Sequence, residues 1–192
     1  MASGTTSKSV LATWPAEEAL YEVVNGQRLE LPPMSVYSTW ITSRLSYRLG
    51  PFAEQQRLGT VVTENLFILD AESDLRRRPD LAYVSVERWP LDREIPREGD
   101  WEVIPDLAVE VISPSELFED TIGKVAEYFR FGVRQVWLVL PREEQVYIYD
   151  SPTSVRILGS SQELDGGNLL PGFRLPLAHL FQREAGNGAP IP

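Results

Sequence analysis

The spacing of apolar residues predicts a hairpin and a long helix in the first third of the chain. Alternating runs flank Asn25-Gly26, a pair typical of tight hairpin turns, so residues 21–31 favour a β-hairpin. Apolar residues then recur at helical spacing over residues 35–56 and predict a long helix. Residues 14–20, with a proline in the first turn and acids behind it, favour a short helix before the hairpin.

Short apolar runs with alternating or β-branched character predict the strands of a sheet. The predicted strands are 60–69, 107–112, 133–140, 145–149 and 155–158, and residues 76–84 are predicted to form a basic approach to another strand. Residues 85–103 are polar and irregular, and we expect Trp89 and Trp101 to anchor them.

A second helix is predicted over residues 115–131. On a wheel of about 100° per residue, its apolar stripe consists of Phe118, Ile122, Val125 and Phe129. Lys124 and Tyr128 lie a turn apart at one edge of that stripe, while Glu127 and Arg130 face away from it. Strands stand directly before and after this helix, so the passage predicts a right-handed crossover within one sheet.

The order of the elements is hairpin, helix, three strands, helix and further strands. This order predicts an α/β fold of the α+β type, in which helices pack on a central mixed sheet. The length of 192 residues suits one domain. We expect that domain to span residues 14–182, with flexible tails at residues 1–13 and 183–192.

The amino-acid composition argues against several kinds of catalytic and metal-binding site. The chain has no cysteine, which excludes disulfides and thiol catalysis, and its single histidine, His179, argues against a His-based zinc site or a Ser-His triad. The formal net charge is -10, so any DNA binding needs a local basic surface or metal ions. We find no apolar run of membrane-spanning length and no signal-peptide core, so a cytoplasmic protein without membrane contact is the default expectation.

The candidate chemistry centres on an acid inside the strand at 107–112. Glu110 stands in a run of Val, Leu and Ile, where a carboxylate is costly to bury unless it is paired or bound to a metal. Asp80 stands at another strand, directly after a proline. Two carboxylates and a backbone carbonyl, for which Val111 is the candidate, are ligands that Mg²⁺ or Mn²⁺ prefers.

Further charged residues could complete such a site. Lys124 could position or deprotonate a water or stabilise charge on a phosphate, and Glu22 could supply a third carboxylate. Arg77 and Arg78 could contact phosphate.

Each of these residues also has a structural interpretation: Asp80 could simply cap a turn. The carboxylate of Glu110 could face water, Lys124 could extend along the surface, and the arginines could form a solvated stretch.

Several short pieces, in this order and spacing, resemble the Uma-two family of restriction-endonuclease-like proteins. The matching pieces are Tyr21-Glu22-Val23-Val24-Asn25-Gly26, Arg78-Pro79-Asp80, residues 105–115, Lys124 with Tyr128, Gly132-Val133, Trp137-Leu138-Val139 and Leu170-Pro171-Gly172-Phe173.

That family is similar to the PD-(D/E)xK nuclease superfamily. The resemblance implies a restriction-endonuclease-like core of four strands flanked by helices, with Asp80 and Glu110 as metal ligands and Glu22 as a helper acid. The chain departs from the pattern at two places. Ile112 stands where the superfamily has its lysine, which implies that Lys124 takes that role, and no histidine follows the Pro-Pro turn near Ser38.

Two functions follow as hypotheses. The first is a metal-dependent endonuclease that hydrolyses DNA phosphodiester bonds with a metal-activated water, acting as a homodimer so that two sites cut two strands. The second is a catalytically weakened nuclease fold that serves nucleic-acid or protein binding. A serine hydrolase is disfavoured because the chain has neither a serine elbow motif nor a suitable histidine.

Overall fold

The computed structural model describes residues 19–113 and 118–182. Its strands are β1 (Tyr21–Val24), β2 (Gln27–Glu30), β3 (Gly59–Thr63), β4 (Phe67–Asp70), β5 (Leu75–Arg77), β6 (Leu81–Ser85), β7 (Leu107–Val111), β8 (Gln135–Leu140), β9 (Gln145–Ser151), β10 (Ser154–Gly159), β11 (Glu163–Asp165) and β12 (Arg174–Pro176). Its helices are α1 (Val36–Gln55), α2 (Phe118–Arg130) and α3 (Leu177–Phe181). None of these helices combines the length and the hydropathy that a membrane span requires.

The central sheet has six strands in the order β10-β9-β8-β7-β6-β3. Strands β7 and β8 run parallel and are joined through α2, whereas their neighbours pair antiparallel. The predicted mixed sheet with a crossover at its centre is therefore confirmed. Since β7 is buried throughout and β8 is buried up to its last residue, both are mostly apolar along their lengths rather than alternating.

A second sheet, in the order β2-β1-β5-β4, begins with the predicted hairpin. Asn25 and Gly26 have φ angles of 51° and 72°, the left-handed conformation that a two-residue hairpin turn requires. Strand β1 also pairs with β5, where Val23 stands opposite Arg76. This pairing places Glu22 beside the arginine run that leads to Asp80.

The prediction of a single strand over residues 60–69 was wrong. The run is divided between β3, which pairs with β6 in the central sheet, and β4, which pairs with β5 in the second sheet. The chain changes sheets near Glu64, whose φ angle of 50° is left-handed. The residues on both sides favour strands and neither glycine nor proline marks the turn, so the sequence pattern gives no sign of the division.

Two apolar clusters form the core, one on each face of the central sheet. Helices α1 and α3 contribute Ile41, Leu45, Leu49 and Leu180 to one cluster. The other cluster lies between the sheet, α2 and the second sheet, and includes the buried anchors Trp89 and Trp101. Both faces of the sheet are therefore covered, which is the arrangement that its apolar central strands require.

The remaining predicted elements agree with the structure in most places. The helix predicted over residues 35–56 is α1, which continues through Pro51, and the helix predicted over 115–131 is α2, with residues 114–117 outside the described part. Strand β11, which pairs with β12, was not predicted. The short helix at 14–20 falls almost entirely, and both tails fully, outside the described residues, and the domain limits stay a prediction.

Gly59 offers a test of the packing between β3 and β6. A Cβ atom at this position would stand 2.1 Å from the carbonyl oxygen of Val84 and 2.8 Å from the Cα of Ser85. We expect Gly59→Ala to lower the free energy of unfolding by about 1–3 kcal/mol, because the two backbones would have to separate. Urea denaturation measures the change.

Gly123 is the matched control, since a Cβ atom there meets no atom within 4 Å and the residue lies inside α2. We expect Gly123→Ala to be neutral or stabilising by up to about 1 kcal/mol, because alanine favours the helix. Equal destabilisation by both substitutions would contradict this account of the β3–β6 contact.

Candidate active site at the end of the central sheet

The first two site residues meet because β6 begins where β7 ends. Leu81 pairs with Val109 in antiparallel register, so Asp80, one residue before β6, stands opposite Glu110. The strand pairing ends at Leu81, and the two chains are no longer joined by backbone hydrogen bonds at Asp80. The side chain of Asp80 connects the two chains instead, because one of its oxygens accepts a hydrogen bond of 2.6 Å from the Val111 N–H.

This bond also fixes the direction of the Val111 carbonyl. In an extended strand, the N–H and C=O of one residue point to the same side. Since the Val111 N–H points to Asp80, its carbonyl points to that side as well. The next residue, Ile112, donates its N–H to Val139 on β8 instead. Val111 therefore presents a backbone oxygen at the same sheet edge as the two carboxylates.

Glu110 is a buried carboxylate in a mostly apolar setting. Its side chain is 6% exposed, and one of its oxygens accepts a hydrogen bond of 2.7 Å from the hydroxyl of Tyr128. The pKa of Glu110 is raised to about 8, mainly by burial and also by the negative charges of Asp80 and Glu22, while Lys124 and the Tyr128 hydrogen bond act in the opposite direction. Near neutral pH and without a metal ion, this carboxyl group therefore keeps its proton.

Helix α2 carries Lys124 to the same place. The Lys124 ammonium lies 3.3 Å from a carboxylate oxygen of Glu22, and its side chain is only 17% exposed. Tyr128, one turn later, is fully buried. The helix is thus rotated relative to the predicted wheel, since Tyr128 stands at the centre of the buried face rather than at its edge. The polar partner that Glu110 offers to the tyrosine hydroxyl explains this rotation.

Glu22 is the centre of a network of buried charges. One oxygen lies 2.6 Å from Arg77, and the other accepts a hydrogen bond of 3.1 Å from the Arg78 N–H as well as facing Lys124. Arg77 also contacts Glu127. Glu127, which was predicted to face away from the apolar stripe of α2, thus joins the network through its ion pair with Arg77. These contacts suit Glu22 for holding basic side chains in place.

The two arginines predicted to contact nucleic acid are directed at the protein itself. Arg77 is 12% exposed and is held between Glu22 and Glu127. Arg78 donates to the backbone carbonyls of Tyr21 and Glu64. A role in phosphate binding stays a prediction for both, and the observed contacts favour a structural role for Arg77. Arg78 also borders the cleft described next.

A cleft opens at this end of the sheet. Its walls include Asp80, Glu110, Val111, Lys124, Arg78, Glu64 and Ser38. The sequence did not point to Glu64 as a site residue, because it stood inside what looked like a continuous strand. Ser38, near which the family resemblance led us to expect a histidine, lies on the cleft wall and is hydrogen-bonded to Ser35 at the start of α1.

The oxygen atoms at the sheet edge fit a hard divalent cation. Asp80, Glu110 and the Val111 carbonyl are all oxygen donors, the type that Mg²⁺ and Mn²⁺ prefer. Within the described ranges, no group of three or more acidic or histidine side chains is placed to share one ion. The candidate set is therefore two carboxylates and a carbonyl, with Glu22 engaged by basic side chains.

Comparison with known proteins places the chain in a family. The model of the Uma2 family, described as "Putative restriction endonuclease", matches residues 11–178. The chain belongs to the Uma2 family. Membership supports a nuclease-like function, as the sequence resemblance implied, while no curated protein matches the chain.

A solved structure shows the same fold. It is the crystal structure of a protein from Anabaena variabilis that is described as "a putative nuclease belonging to DUF820". It superimposes on this chain with a TM-score of 0.71 and shares 19% sequence identity with it. The match covers 88% of this chain and 93% of that one. The restriction-endonuclease-like fold predicted from the sequence is thereby confirmed.

The raised pKa of Glu110 leads to a prediction about stability. Its folded value is about 8 against an ordinary value of 4.5, so between these values the unfolded chain releases a proton that the folded chain keeps. The resulting stabilisation is fully present below pH 4.5 and is lost as the pH rises to about 8. In EDTA, we expect the wild-type free energy of unfolding to decrease over this range more than that of Glu110→Gln, whose amide does not titrate.

Urea denaturation at a series of pH values measures the difference. The exposed Glu119 on the same helix provides the control, and Glu119→Gln should follow the wild-type curve. Parallel curves for wild type and Glu110→Gln would show that the folded protein does not hold this proton.

Proposed function

We propose that the protein is a metal-dependent endonuclease that hydrolyses phosphodiester bonds of DNA. The observation that carries the proposal is the meeting of Asp80, Glu110 and Lys124 in one cleft. They come from a strand start, a strand end and a helix. Membership of the Uma2 family supports the reaction class.

Asp80, Glu110 and the carbonyl of Val111 would hold Mg²⁺ or Mn²⁺. When bound, such an ion supplies Lewis-acid stabilisation of negative charge on the phosphate. The protein holds both carboxylates in position: Asp80 accepts a hydrogen bond from the β7 backbone, and Glu110 accepts one from the hydroxyl of Tyr128. Fixed ligands of this kind need little rearrangement when the ion and the substrate arrive.

Lys124 supplies positive charge at the cleft wall. Glu22 holds its ammonium group, so the lysine can donate a hydrogen bond to a phosphate oxygen or to the attacking water without a large entropy loss. In the reaction the water oxygen forms a bond to phosphorus while one P–O ester bond breaks. The departing oxygen takes up a proton, which leaves one phosphomonoester and one hydroxyl.

The position of Lys124 bears on the alternative of a weakened site. Ile112, at the usual place of the superfamily lysine, packs against the apolar cluster beside α2 and contributes no charge. Lys124 reaches the cleft from the helix instead, which supports an active site over a vestigial one. A homodimer would bring two such clefts to the two strands of a duplex, and sedimentation analysis of the purified protein tests this assembly.

The proposed activity is tested on supercoiled plasmid DNA with Mg²⁺ or Mn²⁺. We expect nicking by the wild type that EDTA abolishes, and a loss on the order of 100-fold or more for Asp80→Asn and for Lys124→Met. Asp92→Asn, an exposed residue in the polar loop before β7, is the matched control and should retain full activity.

Calorimetric titration with Mn²⁺ separates the metal site from catalysis. Wild type and Lys124→Met should bind the ion, whereas Asp80→Asn should bind it much more weakly. Equal nicking by wild type and Asp80→Asn would contradict the proposal. Absence of both nicking and metal binding in the wild type would favour the weakened module.

A further inference from the structure

Acidic residues are distributed unevenly along this acidic chain. There are 28 Asp and Glu residues among 192, yet the two longest stretches without one are residues 31–53 and 166–183. The first contains almost all of α1, and the second contains β12 and α3. In a chain with a net charge of -10, these stretches are where a polyanion would meet the least repulsion.

The two stretches meet on the folded protein. The Tyr37 hydroxyl on α1 donates a hydrogen bond of 3.0 Å to the carbonyl of Phe181 on α3. Arg44 donates through Nε, at 3.0 Å, and through Nη2 to the carbonyl of His179. The contacts join two acid-free segments into one surface, which we call the α1–α3 face.

Arginines and aromatic rings form a stripe along this face. Tyr37 stacks on Trp40 with ring centroids 5.5 Å apart, and the Arg44 guanidinium lies 4.7 Å above the Trp40 ring. Arg48 lies next to Tyr47, which is 74% exposed. These positions recur at helical spacing and so lie on one side of α1.

The arginines of the stripe differ from seven other arginines in the protein. Arg76, Arg77, Arg88, Arg97, Arg134, Arg156 and Arg174 each form an ion pair with a carboxylate. Within the part of the chain that the structure describes, Arg44 and Arg48 form none. Their partners are a carbonyl oxygen and aromatic faces, which leave the positive charge uncompensated while holding Arg44 in position.

The helix that carries the stripe begins at the candidate active site. Met34 and Ser38, at the start of α1, line the cleft that contains Asp80 and Lys124. From Tyr37 to Arg48 the helix rises about 17 Å at ~1.5 Å per residue. A strand whose phosphate lies in the cleft could thus continue along the stripe.

We propose that the α1–α3 face is the surface on which the DNA substrate docks, with Arg44 and Arg48 binding backbone phosphates beside the cleft. This inference rests on the proposed function for the identity of the polyanion. Arginine suits the role because its planar fork binds phosphate oxygens, and the neighbouring aromatic rings can pack against sugars or exposed bases.

A second copy of the chain is a less suitable occupant. A two-fold interface places the same patch on both subunits, so Arg44 and Arg48 would face arginines across it. The acid-free segments that build the face provide no carboxylates to compensate them. Charge complementarity therefore favours a polyanion over self-association.

Fluorescence anisotropy with a fluorescein-labelled DNA duplex in EDTA tests the surface without cleavage. For Arg44→Gln/Arg48→Gln we expect weaker binding and a slope of log K against log salt that is smaller by about 2, because each phosphate contact contributes roughly 0.9. Arg44→Lys/Arg48→Lys should keep most of the slope. Arg57→Gln/Arg97→Gln changes the charge equally at two exposed arginines outside the stripe and should leave the slope unchanged.

The outcomes separate this inference from the proposed function. An unchanged slope in Arg44→Gln/Arg48→Gln, or an equal decrease in the control pair, would overturn the docking surface even if the protein cuts DNA. A selective loss of slope would support it even if no nicking is found. Dissociation of a dimer by Tyr47→Ala, with DNA binding unaffected, would assign the face to a second copy and overturn the proposal.

Discussion

The structure depends on the neutralisation of carboxylates that are buried where the central sheet ends. Glu22 and Glu110 are both removed from water, and neither would be tolerated as an isolated charge. Glu22 is balanced by Arg77 and Lys124, whereas Glu110 has a tyrosine hydroxyl and a raised pKa. This difference matters, because Glu22 is held by direct ion pairs with basic side chains, whereas Glu110 is one of the two carboxylates proposed to bind a metal ion.

The fold brings this arrangement about through strand order rather than through any single motif. Strand β1 belongs to the second sheet, and its pairing with β5 carries Glu22 to the arginines that precede Asp80. The crossover through α2 then places Lys124 above the end of β7. Removal of Glu22 would leave two cations without their shared partner, which is usually far more destabilising than loss of an exposed pair. Stability and site geometry are therefore set by the same contacts.

Sequence patterns predicted the elements more readily than their junctions. The hairpin at Asn25 and the strand around Glu110 carry local signals, so their identities followed from residue type and spacing. The division near Glu64 left no such signal, since its cause is the competition of two sheets for one apolar run. The orientation of α2 was also missed in part, because a wheel treats Tyr128 only as a ring at the stripe edge and cannot include the carboxylate that binds its hydroxyl.

The role proposed for Lys124 depends on its position in space rather than on its position in a sequence motif. A lysine at residue 112 would extend from the strand end, yet Ile112 instead helps to cover the apolar cluster under α2. Lys124 reaches the cleft from the helix above, where Glu22 limits its motion. A long side chain can approach the same point from either element, provided that a buried acid holds it there. In the proposed site, Glu22 on β1 holds the lysine in place, so the hairpin would contribute to the site although it lies outside the central sheet.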